Sequence, residues 1–366
     1  MSGNKLKDEN DTKKNARSIL DDIQESQDKA PAFPQSSQNY DLFATLLGPS
    51  GDTEQLSNLL SFWDSIPRYS VSRQIQAAMR NEAGNLPILR KKFQSPAGEI
   101  CEMELKPARI EVGGEEKDFY PAESEELIED ILRKIFLQQR HGFHDSDRDE
   151  TWCKFTINMI VKELKAFGKV RSHDEVKQAL EIMENCRLTI TVNGKQAYSS
   201  NILSDKLLQD RAAYRTDSNA LSAVKFSSLI SRAINKFDYR QYNYADAMSL
   251  KQPLARWLFK RLADRFINAG IDAPAYKIIF SEIDRDSGLM HHKLITRRIE
   301  TLKMAVEELV ESGILMRYEM NSVKDGKKIV DAIFMLHASM KFIKEMKAAN
   351  ARQKIIREKA QRISKK

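Results

Sequence analysis

The stretch from Ser287 to Leu336 constrains the fold more than any other part of this chain. Within it, apolar residues recur with the period of a helix that is buried along one side. These residues are Ile295, Ile299, Leu302, Val306 and Leu309. Basic residues fill the front of the predicted helix and Glu307, Glu308 and Glu311 fill its back, although the helix macrodipole favours the opposite order. We therefore expect the front of the helix to face an anionic partner and its back to face water.

The segments around this helix indicate its setting. Gly313 supplies a stop after the helix, and two strand-like segments follow, Ile314 to Met320 and Ile329 to Leu336. The turn between them, Asn321 to Lys328, is rich in Asn, Lys and Gly, and a short apolar segment, Tyr276 to Ile283, predicts a short helix before the long one. This order is typical of a winged helix-turn-helix, whose second helix enters the DNA major groove while the hairpin touches the backbone. The alternative is an amphipathic helix that packs on a hairpin, with solvated charges.

The same layout occurs earlier in the chain, where helix patterns and a hairpin follow one another. The segments are Pro121 to Gly142 with Ser124 as its cap, Phe155 to Leu164, a helix opened by the capping box Ser172-x-x-Glu175, and a hairpin around Asn193-Gly194. Another hairpin is predicted from Leu86 to Leu105. We therefore predict an α+β, mostly helical fold with two tandem winged-helix domains.

Composition and charge divide the chain into four predicted segments. Residues 1–55 are polar and poor in aromatic residues, so we expect them to be largely disordered. Winged-helix domain 1 is expected over residues 56–210 and winged-helix domain 2 over residues 211–338, with Lys251 to Ile267 as its leading helix. Residues 339–366 form a basic helical tail that alone carries a charge of +8, so the rest of the chain is near neutral. The tail is interpreted as a frayed solvated helix, a phosphate clamp or a contact for a host protein.

The two predicted recognition helices differ in charge. The first presents Asp174 and Glu181 beside Lys177, and such carboxylates repel phosphates. We expect domain 2 to read bases, with Arg297 on a guanine edge, and domain 1 to dimerise or contact the backbone. The predicted DNA contacts in domain 2 are His292, Lys293, Thr296, Arg297, Arg298 and Lys303, with Lys324, Lys327 and Lys328 on phosphates. Those in domain 1 are Arg171, Ser172, His173, Lys177 and Lys195.

Other chemistry has little support in the sequence. It contains no phosphate-binding Gly-x-x-x-x-Gly-Lys-Ser/Thr loop, no Cys-x-x-Cys pair and no His-apolar-His pair of a rolling-circle nuclease. The cluster from His141 to Asp149 resembles a calcium loop, but Glu150 replaces its turn glycine and Thr156 its last ligand, which favours a solvated acidic loop. We expect no enzyme activity, metal or cofactor. The charged start, the lack of a membrane-length apolar run and the scattered cysteines predict a cytoplasmic protein.

Three short blocks carry a resemblance to a known family. They are Phe155 to Leu164, Pro253 to Leu258, and Leu302 to Leu309 closing on Ser312-Gly313-Ile314-Leu315. With the tandem layout from about Ser61 to Leu336, they make the chain resemble the plasmid replication initiators of the RepA/TrfA type.

This resemblance implies binding to repeated duplex sites (iterons) at an origin, origin opening and recruitment of host replication proteins such as the helicase and the host initiator. It also implies repression of its own promoter, and a dimer that becomes an active monomer, in a bacterial cytoplasm. Two other functions stay open: a winged-helix transcriptional repressor without a role in replication, and an interaction module whose winged helices dock partner proteins.

Overall fold

A computed structural model describes residues 55–138, 141–208, 211–270 and 272–363, so the predicted disordered segment lies almost wholly outside the described residues. The first half contains β1 (Leu56–Leu59), α1 (Ser61–Ser65), α2 (Arg73–Met79), β2 (Leu89–Gln94), β3 (Ile100–Lys106), β4 (Ala108–Val112), β5 (Glu115–Phe119), α3 (Glu123–Phe136), β6 (Gly142–Asp145), β7 (Glu150–Phe155), α4 (Ile157–Ala166), α5 (His173–Asn185), β8 (Arg187–Val192) and β9 (Lys195–Asn201). The second half contains β10 (Leu203–Leu208), α6 (Arg211–Thr216), β11 (Ser222–Phe226), α7 (Ser228–Asn235), β12 (Arg240–Asn243), α8 (Tyr244–Ser249), α9 (Pro253–Arg265), β13 (Tyr276–Ile279), α10 (Phe280–Ser287), α11 (Ile295–Glu311), β14 (Leu315–Asp325), β15 (Lys328–Ala338) and α12 (Met340–Ile363). The fold is α+β, as predicted.

The first winged helix consists of α3, α4 and α5 with a sheet in the order β2-β3-β8-β9. The predicted capping box opens α5, since Ser172 Oγ accepts from Glu175 N at 3.1 Å and Glu175 Oε2 accepts from Ser172 N at 2.7 Å. The apolar residues Val176, Ala179, Leu180 and Met183 of α5 are spaced as one helix face, and all four are buried. Asn193 and Gly194, with φ of 50° and 76°, form the predicted two-residue turn between β8 and β9. Local sequence signals therefore determine most of this unit.

The second winged helix consists of α9, α10 and α11 with a sheet in the order β13-β15-β14. The predicted stripe of α11 faces the core, where Ile299, Leu302, Val306 and Leu309 are buried. The helix ends as predicted at Gly313, whose φ is 68° and whose N–H donates to Val310 O at 3.0 Å. The chain then continues directly into the hairpin of β14 and β15, which is the wing of this domain.

Two local predictions in this domain were wrong. Tyr276–Ile279 is not helical but forms strand β13, because Ile278 pairs with Phe334 on β15 and both side chains are buried; the helix α10 starts only at Phe280. The wing is also longer than predicted. Its turn consists of Gly326 and Lys327 alone, since Gly326 takes a φ of 59° and lets the two strands pair up to the turn.

The first core extends beyond the boundary expected at residue 210. Strand β11 pairs with β7 and β10, and its Val224 and Phe226 are buried in the first core. Helix α7 adds Ile230 and Ile234 to the same core. The boundary expected at residue 210 therefore falls inside the first domain. The two cores meet instead near residues 240–250.

The basic tail folds as helix α12 and packs against both domains. Phe342 and Met346 belong to the second core, whereas Ile356 belongs to the first. Asn243 Nδ2 donates to Glu345 Oε1 at 3.0 Å, which fastens the helix to the end of β12. This packing contradicts a frayed, solvated tail. No helix in the described part of the chain, α12 included, has the length and apolarity to cross a membrane.

The two domains meet through buried charges on α3 and α9. Lys260 Nζ on α9 lies 2.5 Å from Asp130 Oδ2 and 3.2 Å from Glu126 Oε1, both on α3. Arg256, fully buried on α9, lies 2.8 Å from Glu123 Oε1. Buried ions cost several kcal/mol each in lost hydration, so they are tolerated only when they face one another in good geometry. The pairing therefore favours one relative arrangement of α3 and α9.

This charge network continues into the first domain. Asp64 accepts from both terminal nitrogens of Arg133 at 2.9 Å, and Glu129 accepts from Arg68 Nη2 at 2.7 Å. Burial raises the pKa of the Asp64 carboxyl, but Arg133, Arg68 and Lys260 together outweigh it and lower this pKa to about 2. Asp64 thus stabilises the network only while its carboxyl group is ionised.

Lys260→Met should lower the free energy of unfolding by about 3–5 kcal/mol, because it leaves the Asp130 carboxylate buried without its main partner. Urea denaturation followed by circular dichroism measures the loss. Lys347→Met, at an exposed position of α12, removes the same charge and is the matched control. Equal unfolding midpoints for the two variants would contradict a stabilising role for the network.

Acid should destabilise the protein through Asp64. Its pKa is lowered from 3.8 to about 2 on folding, so its contribution is fully present above pH 4 and is lost as the pH falls towards 2. At about 1.4 kcal/mol per pKa unit, this contribution is about 2 kcal/mol. Urea midpoints between pH 5 and pH 2.5 should fall more steeply for the wild type than for Asp64→Asn, which starts less stable. Parallel pH profiles would argue against this assignment.

Candidate nucleic-acid interface

The site predicted from the sequence centres on the front of α11. Helix α11 begins at Ile295, so His292 and Lys293 lie in the turn before it and not on the helix as the sequence pattern suggested. Both side chains are exposed, as are those of Thr296 and Arg297 in the first turn of the helix. The first amide N–H groups of any helix carry a partial positive charge. This end of α11 therefore combines exposed cations with the positive end of the helix dipole.

Adjacent arginines in this first turn have different environments. Arg298 forms an ion pair with the Asp284 carboxylate on α10, and its guanidinium carbon lies 5.7 Å from the centroid of the Phe280 ring. Arg297 is exposed and makes no side-chain hydrogen bond or ion pair with any described residue. Arg298 therefore fastens α11 to α10, and Arg297 is available to a partner.

Further along α11, Lys303 is partly neutralised by its own helix. Its Nζ lies 3.5 Å from Glu300 Oε1 and 3.7 Å from Glu307 Oε1. Such exposed pairs within a helix contribute little to stability, but they reduce the charge that Lys303 offers to phosphates.

The wing presents a second group of cations. Lys324, Lys327 and Lys328 surround the turn of the hairpin, are exposed and make no ion pair with a residue in the described ranges. Asp331 on β15 accepts from Ser281 N at 3.1 Å and from its Oγ at 2.6 Å, so the wing is anchored at the start of α10. The lysine-bearing turn projects beyond this anchor.

The basic residues of α5 in the first domain are largely occupied by internal contacts. Arg171 Nε donates to Ser124 Oγ at 2.8 Å, so Ser124 supports the turn before α5 and does not cap α3; the cap position is Ala122. Lys177 Nζ donates to Arg215 O at 3.1 Å and lies 3.7 Å from Asp174 Oδ1. Ser172 is the cap of α5. Of the five residues predicted here, His173 and Lys195 are exposed without such contacts.

The metal-like cluster is a hairpin between β6 and β7. Its His144 is buried, with Nδ1 2.8 Å from Thr151 Oγ1 and Nε2 2.7 Å from Asn235 Oδ1. Asp149 Oδ1 accepts from Asn235 Nδ2 at 2.6 Å. Across the described ranges, no group of three or more His, Cys, Asp or Glu side chains is placed to hold a metal ion. The polar side chains of this cluster therefore fasten the β6–β7 hairpin to α7.

No protein-family model and no curated protein sequence matches the chain. A solved structure of domains 2 and 3 of RctB is similar to it, with a TM-score of 0.47 and 12% identity over 76% of this chain and 98% of the other. A second structure of the same domains has a TM-score of 0.42 at 12% identity, over 74% of this chain and 99% of that one. The Pi initiator protein in complex with iteron DNA has a TM-score of 0.35 at 12% identity, over 79% of this chain and all of that one. Such similarity does not assign a site, which depends on the residues described above.

The sequence pattern missed one cation beside the turn that precedes α11, Lys91 on β2 of the first domain, whose Cδ lies 3.6 Å from where a Cβ at Gly288 would be. A run of three basic residues, Arg90 to Lys92, was the available signal. Its proximity to α11 depends on how the two domains pack, which a local pattern does not show.

Arg298→Ala should lower the free energy of unfolding by about 1–3 kcal/mol, because the partly buried Asp284 loses its charged partner. Arg297→Ala should change it by less than about 0.5 kcal/mol, because this exposed side chain has no partner. Thermal unfolding followed by calorimetry compares the two variants. Equal losses would show that the environments of the two arginines do not differ as described.

Proposed function

We propose that this chain binds duplex DNA through its second winged helix and acts as a replication initiator at repeated sites (iterons). The observation that carries the proposal is the front of α11, where exposed Arg297 has no partner among the described residues. The back of the same helix is acidic, which orients the helix with its front towards an anion. A winged helix-turn-helix uses this end of its second helix in the major groove and its wing on the backbone.

Each group of residues has a role in this proposal. Arg297 donates two hydrogen bonds to O6 and N7 of a guanine, and Thr296 lies beside it on the exposed side of the first turn. His292 and Lys293 contact phosphates from the turn before α11. The wing lysines, Lys324, Lys327 and Lys328, contact phosphates at the flank and supply affinity that does not depend on sequence.

The part of the proposal that concerns replication is supported by the tandem winged helices and by the three sequence blocks that resemble plasmid initiators. It includes origin opening, recruitment of a host helicase and a host initiator, and repression of the chain's own promoter. It also includes a dimer formed through the first domain and active as a monomer, in the cytoplasm of a plasmid-bearing bacterium. We assign the chain no enzymatic reaction and no cofactor.

Arg297→Ala should weaken binding to a selected duplex by about 1–3 kcal/mol and relax specificity at one base position, because it removes a contact to a base edge. Lys327→Ala should weaken binding to selected and random duplexes by the same factor, because it removes a phosphate contact. Fluorescence anisotropy measures both, with a duplex enriched from a random pool as the selected site.

The matched control for both substitutions is Lys162→Ala, at an exposed position of α4 in the first domain. This variant should bind as the wild type does. An equal loss on selected and random DNA for Arg297→Ala would contradict its role in reading bases. Wild-type protein that shows no salt-dependent binding to any duplex would overturn the proposed function and favour a module that docks proteins.

A further inference from the structure

The edge of the first domain's sheet lies against the helix-turn-helix of the second domain. Strand β2 packs along α10, where Gln94 N donates to Asp286 Oδ1 at 2.9 Å. At the turn after α10, His291 Nε2 lies 2.6 Å from Ser70 O of the first domain. The turn that precedes α11 is therefore in direct contact with the first domain.

Gly288 shows how close this contact is. Its φ is 61°, and a Cβ at this position would lie 3.1 Å from Ser70 Cβ and 3.6 Å from Lys91 Cδ. The first separation is shorter than ordinary van der Waals contact and the positive φ disfavours other residues, so a side chain here would be strained and would displace Ser70. The aliphatic part of Lys91 thus lies directly beside the helix-turn-helix turn.

Lys91 carries its charge at this junction without forming an ion pair in the described part of the chain. Its neighbours on the same face of β2, Leu89 and Phe93, are buried, whereas Lys91 is only partly buried. It makes no ion pair with a residue that the structure describes, and the nearby Asp284 carboxylate already pairs with Arg298. Long lysine side chains commonly bury the stem in this way and keep the ammonium group in water.

The basic side chains around this turn come from both domains. Lys91 from the first domain joins Lys293 from the second, and His291 and His292 lie between them in the turn before α11. Burial of Lys91 lowers the pKa of its ammonium group, and the Asp284 charge only partly opposes this shift. The charged form of Lys91 is therefore destabilised in the free protein. An anion at the turn would relieve this destabilisation.

We infer that Lys91, His292 and Lys293 form one phosphate-binding site, built by both domains, for the DNA strand that enters α11. This inference rests on the proposed function and specifies how the first domain takes part in it. The first domain contacts the same duplex through strand β2, and its own α5 is not needed for this contact. In a helix-turn-helix the first helix crosses the DNA backbone and the second enters the major groove, so a cation beside the turn that joins them can reach a phosphate.

Lys91→Gln tests the inference, with binding measured by fluorescence anisotropy between 50 and about 300 mM salt on the selected and random duplexes. The loss of one phosphate contact reduces the slope of log K against log salt by about 1, and affinity should fall about 3–10-fold on both duplexes. Lys91→Arg keeps the charge and should restore most of the affinity. Lys162→Gln is the matched control, since it removes an exposed lysine of the same domain from α4.

The outcomes separate this inference from the proposed function. An unchanged slope and affinity for Lys91→Gln, with specific binding still lost in Arg297→Ala, would overturn the inference alone. The absence of salt-dependent duplex binding by the wild type would overturn both. Thermal unfolding of each variant identifies any that fail to fold, and His292→Gln with Lys293→Gln then tests the same site from the exposed turn of the second domain.

Discussion

The contact between Lys260 on α9 and Asp130 on α3 is the interaction on which the rest of this architecture depends. It joins the leading helices of two winged-helix units whose apolar cores are otherwise separate. Apolar packing alone tolerates small rotations, whereas buried ions lose much of their stabilisation when their geometry changes. The network is therefore suited to holding the two winged-helix units in a fixed relative orientation. Helix α12 adds to this restraint, because it packs across both cores.

The basic side chains of the two winged helices have different environments. In the second unit, the Arg298–Asp284 pair fixes α11 on α10, so that the neighbouring Arg297 projects from a rigid helix. In the first unit, contacts of Arg171 and Lys177 within the domain occupy the corresponding basic residues. Instead, Lys91 on strand β2 places a positive charge of the first domain beside the turn that precedes α11. The proposed recognition surface thus extends from the wing of the second domain, over the front of α11, to the edge of the first domain.

Local patterns in the sequence predicted the elements that depend on nearby residues. The stripe of α11, the stop at Gly313, the capping box at Ser172 and the Asn193-Gly194 turn were all confirmed, because each is determined within a few residues. Predictions failed where a distant partner decides the conformation. Tyr276–Ile279 resembles the start of a helix, but pairing with β15 makes it a strand.

The candidate site shows the same division. The helix pattern singled out Arg297 and the turn composition indicated the lysines of the wing. Neither showed that Arg298 forms an ion pair, since its partner Asp284 lies on another helix. Similarly, the positions of Lys91 and of the Lys260 network depend on contacts between the domains. The residues in these contacts are more than a hundred positions apart in sequence. These contacts follow from packing of buried surfaces, and no local spacing rule encodes them.

The most direct test of the central claim is hydroxyl-radical footprinting of the purified protein on DNA that flanks its own gene. The account predicts protection that repeats over direct copies of one site, spaced by about one or two helical turns, with each footprint extending over a wing, a major groove and the adjoining backbone. A single protected palindrome at a promoter would instead indicate a dimeric repressor. Absence of protection at low salt would contradict DNA binding by α11 altogether.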